Sequence, residues 1–261
     1  MKRVVKILLI LSSAALMSSC LQSGIDITVN KDGSGELVQT YKVQREYMAF
    51  MNLGEAAGDP NMVNREQLEQ MAAIMGEGVS LKKVEPSSDS SPYAGYTATY
   101  SFTDITKLKT SPTPMTSPGE AEDSSDWISF DFSRGNTAKL TVISQESDEE
   151  EYEDSGEEWE SDTEVSAEEQ AQMDQMKQIY RTMHFWFKIH VNGTVTNTNA
   201  FYSDGSSITI MDMSFEKIIE NDKLFMKLTS EGEEDLEKIR DDLEKAGVQV
   251  DDRERIEVSF R

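Results

Sequence analysis

Residues 25–43 read IDITVNKDGSGELVQTYKV, and this stretch decides the fold class. Ile25, Ile27 and Val29 alternate with Asp26, Thr28 and Asn30, the period of two expected of a strand with one buried face. Lys31-Asp32-Gly33-Ser34-Gly35 then turns the chain into a second run, Glu36–Val43, so the spacing predicts a β-hairpin. The same turn imitates the opening of a calcium-binding EF-hand, with Asn30, Asp32 and Ser34 ahead of Gly35. The twelfth position of that register is Tyr41, where a bidentate carboxylate is required, so the hairpin reading prevails and no metal is expected.

Working outward, the same alternation predicts strands at Val79–Val84 and Tyr93–Phe102, the latter turning Tyr96, Ala98, Tyr100 and Phe102 to one side. Trp127–Ser133 and Thr137–Ser144 flank Arg134-Gly135-Asn136 as a second hairpin. A third pairs Ala200–Ser203 with residues 206–213 through Asp204-Gly205, and Arg255–Phe260 reads as a closing strand. Three helices interrupt the strands. The first starts at Asp59-Pro60, carries Leu68, Met71, Ala72 and Met75 on one face, and stops at Gly76 or Gly78. Ser166 and Glu169 make a capping box for a helix bearing Met173, Met176, Tyr180 and Met183. Ser230 and Glu233 do the same for a stripe of Leu236, Ile239 and Leu243 that ends at Gly247. Hairpins with a few amphipathic helices amount to an α+β domain with a mainly antiparallel sheet.

The first nineteen residues are not part of that domain. Lys2, Arg3 and Lys6 precede an apolar stretch from Ile7 to Met17, then Ser18 and Ser19, then Cys20. A short apolar segment with positive flanks and small residues before a cut site is an export signal, and it is too short to span a bilayer. Met17-Ser18-Ser19-Cys20 resembles the bacterial lipobox, in which the cysteine thiol accepts a diacylglyceryl group and the peptidase cuts in front of it. Cys20 is the single cysteine of 261 residues and stands where lipidation needs it. Residues 1–19 are therefore the signal peptide, Cys20 the lipidation site and residues 20–24 a short tether to a domain spanning 25–261. Leu21, rather than Asp, follows the cysteine, which by Gram-negative sorting rules points to the outer membrane.

Removing residues 1–19 takes away three positive charges and no negative one, moving the net charge from −24 to −27. A surface this acidic argues against nucleic acid and against broad electrostatic binding of anionic lipid, so acyl chains must supply the membrane attachment. Two stretches carry too little apolar surface to offset chain entropy and are expected to be disordered loops. Residues 109–126 hold three of the six prolines, and residues 146–164 hold twelve Asp or Glu and no Lys or Arg. Because 127–133 and 137–144 form a hairpin, both loops should leave the sheet from the same edge.

Chemistry is sparse. In HFWFKIHV, residues 184–191, Phe185, Phe187, Ile189 and Val191 share one face of a strand and His184, Trp186, Lys188 and His190 the other. Six residues of strand separate the histidines by roughly 20 Å, so they cannot ligate one ion and read as solvent-facing structural side chains. No nucleophile elbow, Walker loop, H-E-x-x-H or dinucleotide fingerprint is present, and carboxylate pairs carry no information among 49 acids. No catalytic, metal or cofactor residues are expected. The fourteen methionines, several on the helical faces, are either ordinary core or an adaptable surface for a hydrophobic ligand.

The order of a lipobox, ITVNKDGSGELVQTYKV, YAGYTATYSFTDITKL, WISFDFSRGNTAKLTV and FKIHVNGTVTNTNAFYSDGSSITI resembles the LppM-type bacterial lipoproteins over roughly residues 25–225. That family carries a "y-G-y-t-a-t-f" strand and a late "V-x-N-A…d-G-x-t-v" hairpin. The chain departs from it at Val191-Asn192-Gly193, where Pro-Gly is usual, and at Ile208-Thr209-Ile210, which a Trp often follows. The resemblance implies an envelope-facing α+β domain whose curved sheet has room for a lipid-like molecule, and it supplies no catalytic residues. The expected function is a non-enzymatic, membrane-anchored envelope lipoprotein binding a partner protein or a lipid-like ligand. Its rival is a structural or assembly component whose acidic loop contacts cationic partners or divalent ions.

Overall fold

The computed structural model describes residues 21–50, 61–112, 127–144, 174, 177, 180–229 and 236–261. The hairpin at the start forms as read: β1 (Leu21–Val29) pairs antiparallel with β2 (Gly35–Gln44), with Ile27 opposite Leu37. Its turn is closed by Asp32, whose carboxylate accepts the Ser34 hydroxyl at 2.6 Å and the Ser34 amide at 3.0 Å. Helix α1 (Arg45–Phe50) follows β2, and α2 (Arg65–Met75) leads to β3 (Val79–Pro86) and β4 (Tyr93–Phe102). The α2 helix starts later than Asp59-Pro60, which lie outside the described residues: Asn64 caps it, accepting from the Gln67 amide at 3.2 Å. Leu68, Met71, Ala72 and Met75 are its buried face, as the periodicity requires.

Beyond β4 come β5 (Lys109–Thr110), β6 (Ile128–Ser133), β7 (Ala138–Ser144), β8 (His184–Val191) and β9 (Val195–Thr198). Then follow β10 (Ser203–Asp204), β11 (Ser207–Ser214), α3 (Phe215–Ile218), α4 (Asp222–Thr229), α5 (Leu236–Lys245), β12 (Gln249–Val250) and β13 (Arg255–Phe260). The large sheet has the order β10-β11-β8-β1-β2-β4-β3, with β12 on β11; the small sheet is β5-β6-β7-β13-β9.

This corrects the α+β expectation. Among the described residues the protein is predominantly β, with two open sheets rather than one, and helices of only four to eleven residues. The large sheet is mixed, because β1 runs parallel to β8 from Gln22 beside His184 to Val29 beside Val191. The core explains the weight of strand: most of its buried side chains, among them Ile27, Leu37, Tyr100, Phe187 and Phe260, come from strands. Each such aliphatic or aromatic group contributes roughly 1.5–3 kcal/mol on burial. Two boundaries also move. Leu21–Gly24 are the first residues of β1 rather than a tether, with Leu21 only 7% exposed. Lys109–Thr110 form β5 with Thr110 buried, so the Pro-rich stretch is ordered at its start; residues 113–126 and 146–164 lie outside the described residues. The third hairpin is narrower than read, pairing only Ser203–Asp204 with Ser207–Ile208. The second holds, with Ile128 opposite Ser144.

Tyr100 is fully buried on β4, and its hydroxyl has no hydrogen-bond partner among the described residues. Burial drives its ionisation far above the ordinary range, and an unsatisfied buried hydroxyl costs about 1–3 kcal/mol. Tyr100→Phe should therefore be neutral or raise the melting temperature by a few degrees; a clear loss in thermal melts would mean that the hydroxyl has a partner.

Candidate functional site

A set of mutually bonded polar side chains lies on the outer face of the large sheet, across β1, β8 and β11. On β8 the alternation is as read: Phe185, Phe187, Ile189 and Val191 are buried, and His184, Trp186, Lys188 and His190 face outward, half-buried. What the sequence does not show is that each histidine has a carboxylate from a neighbouring strand. On one side His184 Nε2 lies 2.8 Å from Asp212 Oδ1, and Lys188 Nζ lies 2.6 Å from Asp212 Oδ2. On the other, His190 Nε2 is 3.3 Å from Asp26 Oδ1 and His190 Nδ1 is 2.7 Å from Ser207 Oγ. Trp186 Nε1 donates to Asp26 Oδ2 at 2.7 Å. The two histidines share no partner, which agrees with their separation along the strand.

Local backbone features place these groups. The β8–β11 register shifts between Thr209 and Met211, so a bulge breaks the alternation of SITIMDMS. The bulge keeps Ile208, Met211 and Met213 buried while turning Asp212 outward to His184 and Lys188. Gly24 permits the other half: a Cβ there would lie 2.0 Å from Trp186 Cε2, so the indole rests against β1 only because Gly24 has no side chain.

Burial alone would raise the Asp212 carboxyl, but hydrogen bonds and charge from His184 and Lys188 outweigh it and hold it below the usual carboxylate range. With its folded value below the unfolded one, the carboxylate contributes stability that is fully present above about pH 3.8 and lost as pH falls through the folded value. Asp212→Asn should cost about 1 kcal/mol near neutrality. That deficit should shrink in urea melts as the pH falls below about 3.8 and through the lower folded value. A deficit that stays constant with pH would show that the side chain acts by packing alone.

A second cluster gathers around Phe201, the large apolar side chain most exposed among the described residues, at 47%. The Arg253 guanidinium lies 3.3 Å from its ring centroid and that of Arg240 4.9 Å. Beneath it the buried Asp251 carboxylate accepts the Phe201 amide at 2.7 Å, and burial pushes its pKa up despite Arg253 at 3.2 Å. Beside it Tyr202 donates to Glu244 at 2.8 Å, and burial together with that bond pushes the phenol up to about 12. The adjoining cleft, between Tyr202, Arg240, Leu243 and Val250, holds about 10 Å³, room for a single water rather than a lipid. Met71, Met75, Met183, Met211 and Met213 are all buried, so these methionines are ordinary core.

Cys20 lies outside the described residues, directly before Leu21. No group of His, Cys, Asp and Glu suited to a metal ion occurs among the described residues, and no helix there is long and apolar enough to cross a membrane. No family model matches the chain, and no curated protein does. Among solved structures, the NMR structure of the folded domain of LppM from Mycobacterium tuberculosis aligns with it at a TM-score of 0.30 and 9% identity. The alignment covers 94% of this chain and 91% of that one. This neighbour is of the type whose motifs the sequence resembles.

Proposed function

We propose that the chain is a bacterial envelope lipoprotein, exported, cut before Cys20, acylated there and held on a membrane outside the cytoplasm. Its domain is non-enzymatic and binds a partner protein through the outer face of the large sheet. The observation that carries the reading is the position of the single cysteine: it closes the lipobox and immediately precedes the first residue of a folded strand.

The outer face suits recognition because its side chains are already fixed. Trp186, His190 and Ser207 are tied to or through Asp26, and His184 and Lys188 to Asp212, so little side-chain entropy remains to be lost on binding. Ser207, His190 and Asp26 are the residue types of a hydrolytic relay. Their 3.3 Å His–Asp contact lies on an open sheet face, and Asp26 also serves Trp186, so cross-strand adhesion is the simpler role. The test is intact mass of the protein purified from its host membrane, with and without globomycin. A mass lacking residues 1–19 and carrying acyl chains, replaced by the lipidated precursor under the inhibitor, supports the reading; processing that ignores globomycin and yields a soluble product overturns it.

A further inference from the structure

We infer that the end of the large sheet carrying Leu21 is a bilayer-docking surface, seated on phospholipid headgroups with the strands rising away from the membrane. The inference rests on the lipid-anchor reading and adds to it a defined face and orientation.

Leu21 is the first residue of β1 and opposes Val43, and the next residue, Gln22, opposes His184 on β8. The backbone is therefore held on both sides within two residues of the acylated cysteine. Successive Cα atoms are about 3.8 Å apart, so a lipid attached one residue before Leu21 pulls on this end of the sheet. Chains buried in hydrocarbon and attached at Cys20 bring whatever surrounds Leu21 into the headgroup layer.

That surrounding is a built platform. The Arg45 amide donates to the Pro92 carbonyl at 2.9 Å, and its guanidinium donates to the Ser91 carbonyl at 3.1 Å and to Asn61 Oδ1 at 2.9 Å. One side chain thus ties the end of β2, the β3–β4 loop and residue 61 together. On the other flank the Phe215 amide donates to the Met183 carbonyl at 3.0 Å, joining the start of β8 to the end of β11.

Charge points the same way. The segments at this end are 42–46, 87–93, 180–184 and 214–223, with residues 174 and 177. Their described residues include six cations, Lys42, Arg45, Lys177, Arg181, Lys217 and Lys223, against six carboxylates. In a chain whose residues 20–261 carry −27, these described residues are balanced, so they meet an anionic surface with less repulsion than the rest would. β1 has nine residues, so the Asn30–Ser34 turn would stand about 30 Å above the headgroups.

The experiment uses the lipidated full-length product in phosphatidylcholine–phosphatidylglycerol vesicles containing a headgroup nitroxide lipid. Acylation consumes the Cys20 thiol, so a dye placed through Ser90→Cys or Lys31→Cys reports one position, near end or far turn. Several-fold stronger quenching at Ser90→Cys than at Lys31→Cys is expected. A flexible Gly/Ser insertion of about twelve residues after Cys20, with a root-mean-square reach of about 18 Å, should erase most of that difference. Equal quenching at both positions, or stronger quenching at Lys31→Cys, with the acyl mass present on Cys20, overturns the docking surface and leaves the anchor standing. Absence of the acyl mass overturns both.

Discussion

Cys20→Ser is expected to leave a precursor that keeps residues 1–19 and gains no acyl mass. The lipoprotein peptidase recognises the diacylglyceryl-modified cysteine, and a serine hydroxyl at that position cannot form the thioether. No helix among the described residues is long and apolar enough to cross a membrane, and residues 20–261 carry a net charge of −27, which opposes broad adsorption to anionic lipid. A single acyl chain gives only marginal binding, whereas two or more hold firmly, so loss of the whole acylated group should be all-or-none rather than graded. Intact mass spectrometry reads the outcome directly. A companion variant that lacks residues 1–19 and also carries Cys20→Ser should fold and remain in the soluble fraction, because β1 begins only at Leu21. A full-length Cys20→Ser protein that is still cut at the same bond would show that the signal is an ordinary secretory one.

The features legible in the sequence are those set by neighbours along the chain. The hairpins at 25–43 and 127–144 show because turn chemistry and a period of two act over a few residues; the Asp32–Ser34 bonds that close the first turn are between residues two apart. His184–Val191 is readable to the residue because its apolar and polar faces alternate without interruption. Its neighbour is not. The parallel pairing of β1 with β8 joins segments about 160 residues apart, and hairpin signals speak only of antiparallel neighbours, hence the expectation of a mainly antiparallel sheet. The partners of the histidines are hidden for the same reason. Asp26 and Asp212 are two among 49 acids, and only the strand order and the β11 bulge mark them out. Gly24 gives no clue in the sequence, because it falls in the stretch read as a tether; only with β1 starting at Leu21 does it become a strand glycine that lets Trp186 approach. Leu21–Gly24 reads as a tether because LQSG has one large apolar residue and a glycine; pairing with both β2 and β8 decides otherwise. The capping boxes at Ser166/Glu169 and Ser230/Glu233 lie outside the described residues, but Asp174, Lys177 and Tyr180 are helical and the stripe after Ser230 forms Leu236–Lys245; the α+β reading fails because the strands outweigh these short helices.

Gly95→Ala is expected to be among the most damaging single changes in the domain. Gly95 lies inside β4, in the YAGYTATYSF strand, at φ +136°, a region that residues with a Cβ rarely enter. It faces Lys42 in the β2–β4 register, and its carbonyl accepts the Ser87 amide at 2.8 Å. A Cβ there would lie 2.1 Å from the Tyr41 carbonyl oxygen and 2.7 Å from Lys42 Cα. Both obstacles are backbone of a strand held between β1 and β4, so no side chain can swing aside to make room. Relief requires either breaking the ladder next to Tyr41 or rotating Gly95 to a negative φ, which would disturb the bond to Ser87. Backbone strain of this kind costs about 1–3 kcal/mol by itself, and local loss of strand pairing adds to it, for about 3–4 kcal/mol in all. For a chain of this size that corresponds to a fall of about 10 °C in melting temperature. The glycine at this place in the motif is thus explained by the Tyr41 carbonyl against which it packs. Thermal melts followed by far-ultraviolet circular dichroism decide the matter: a fall of less than about 3 °C, within what a tolerated substitution costs, would mean that the β2–β4 contact at Tyr41 is looser than its 2.1 Å geometry requires.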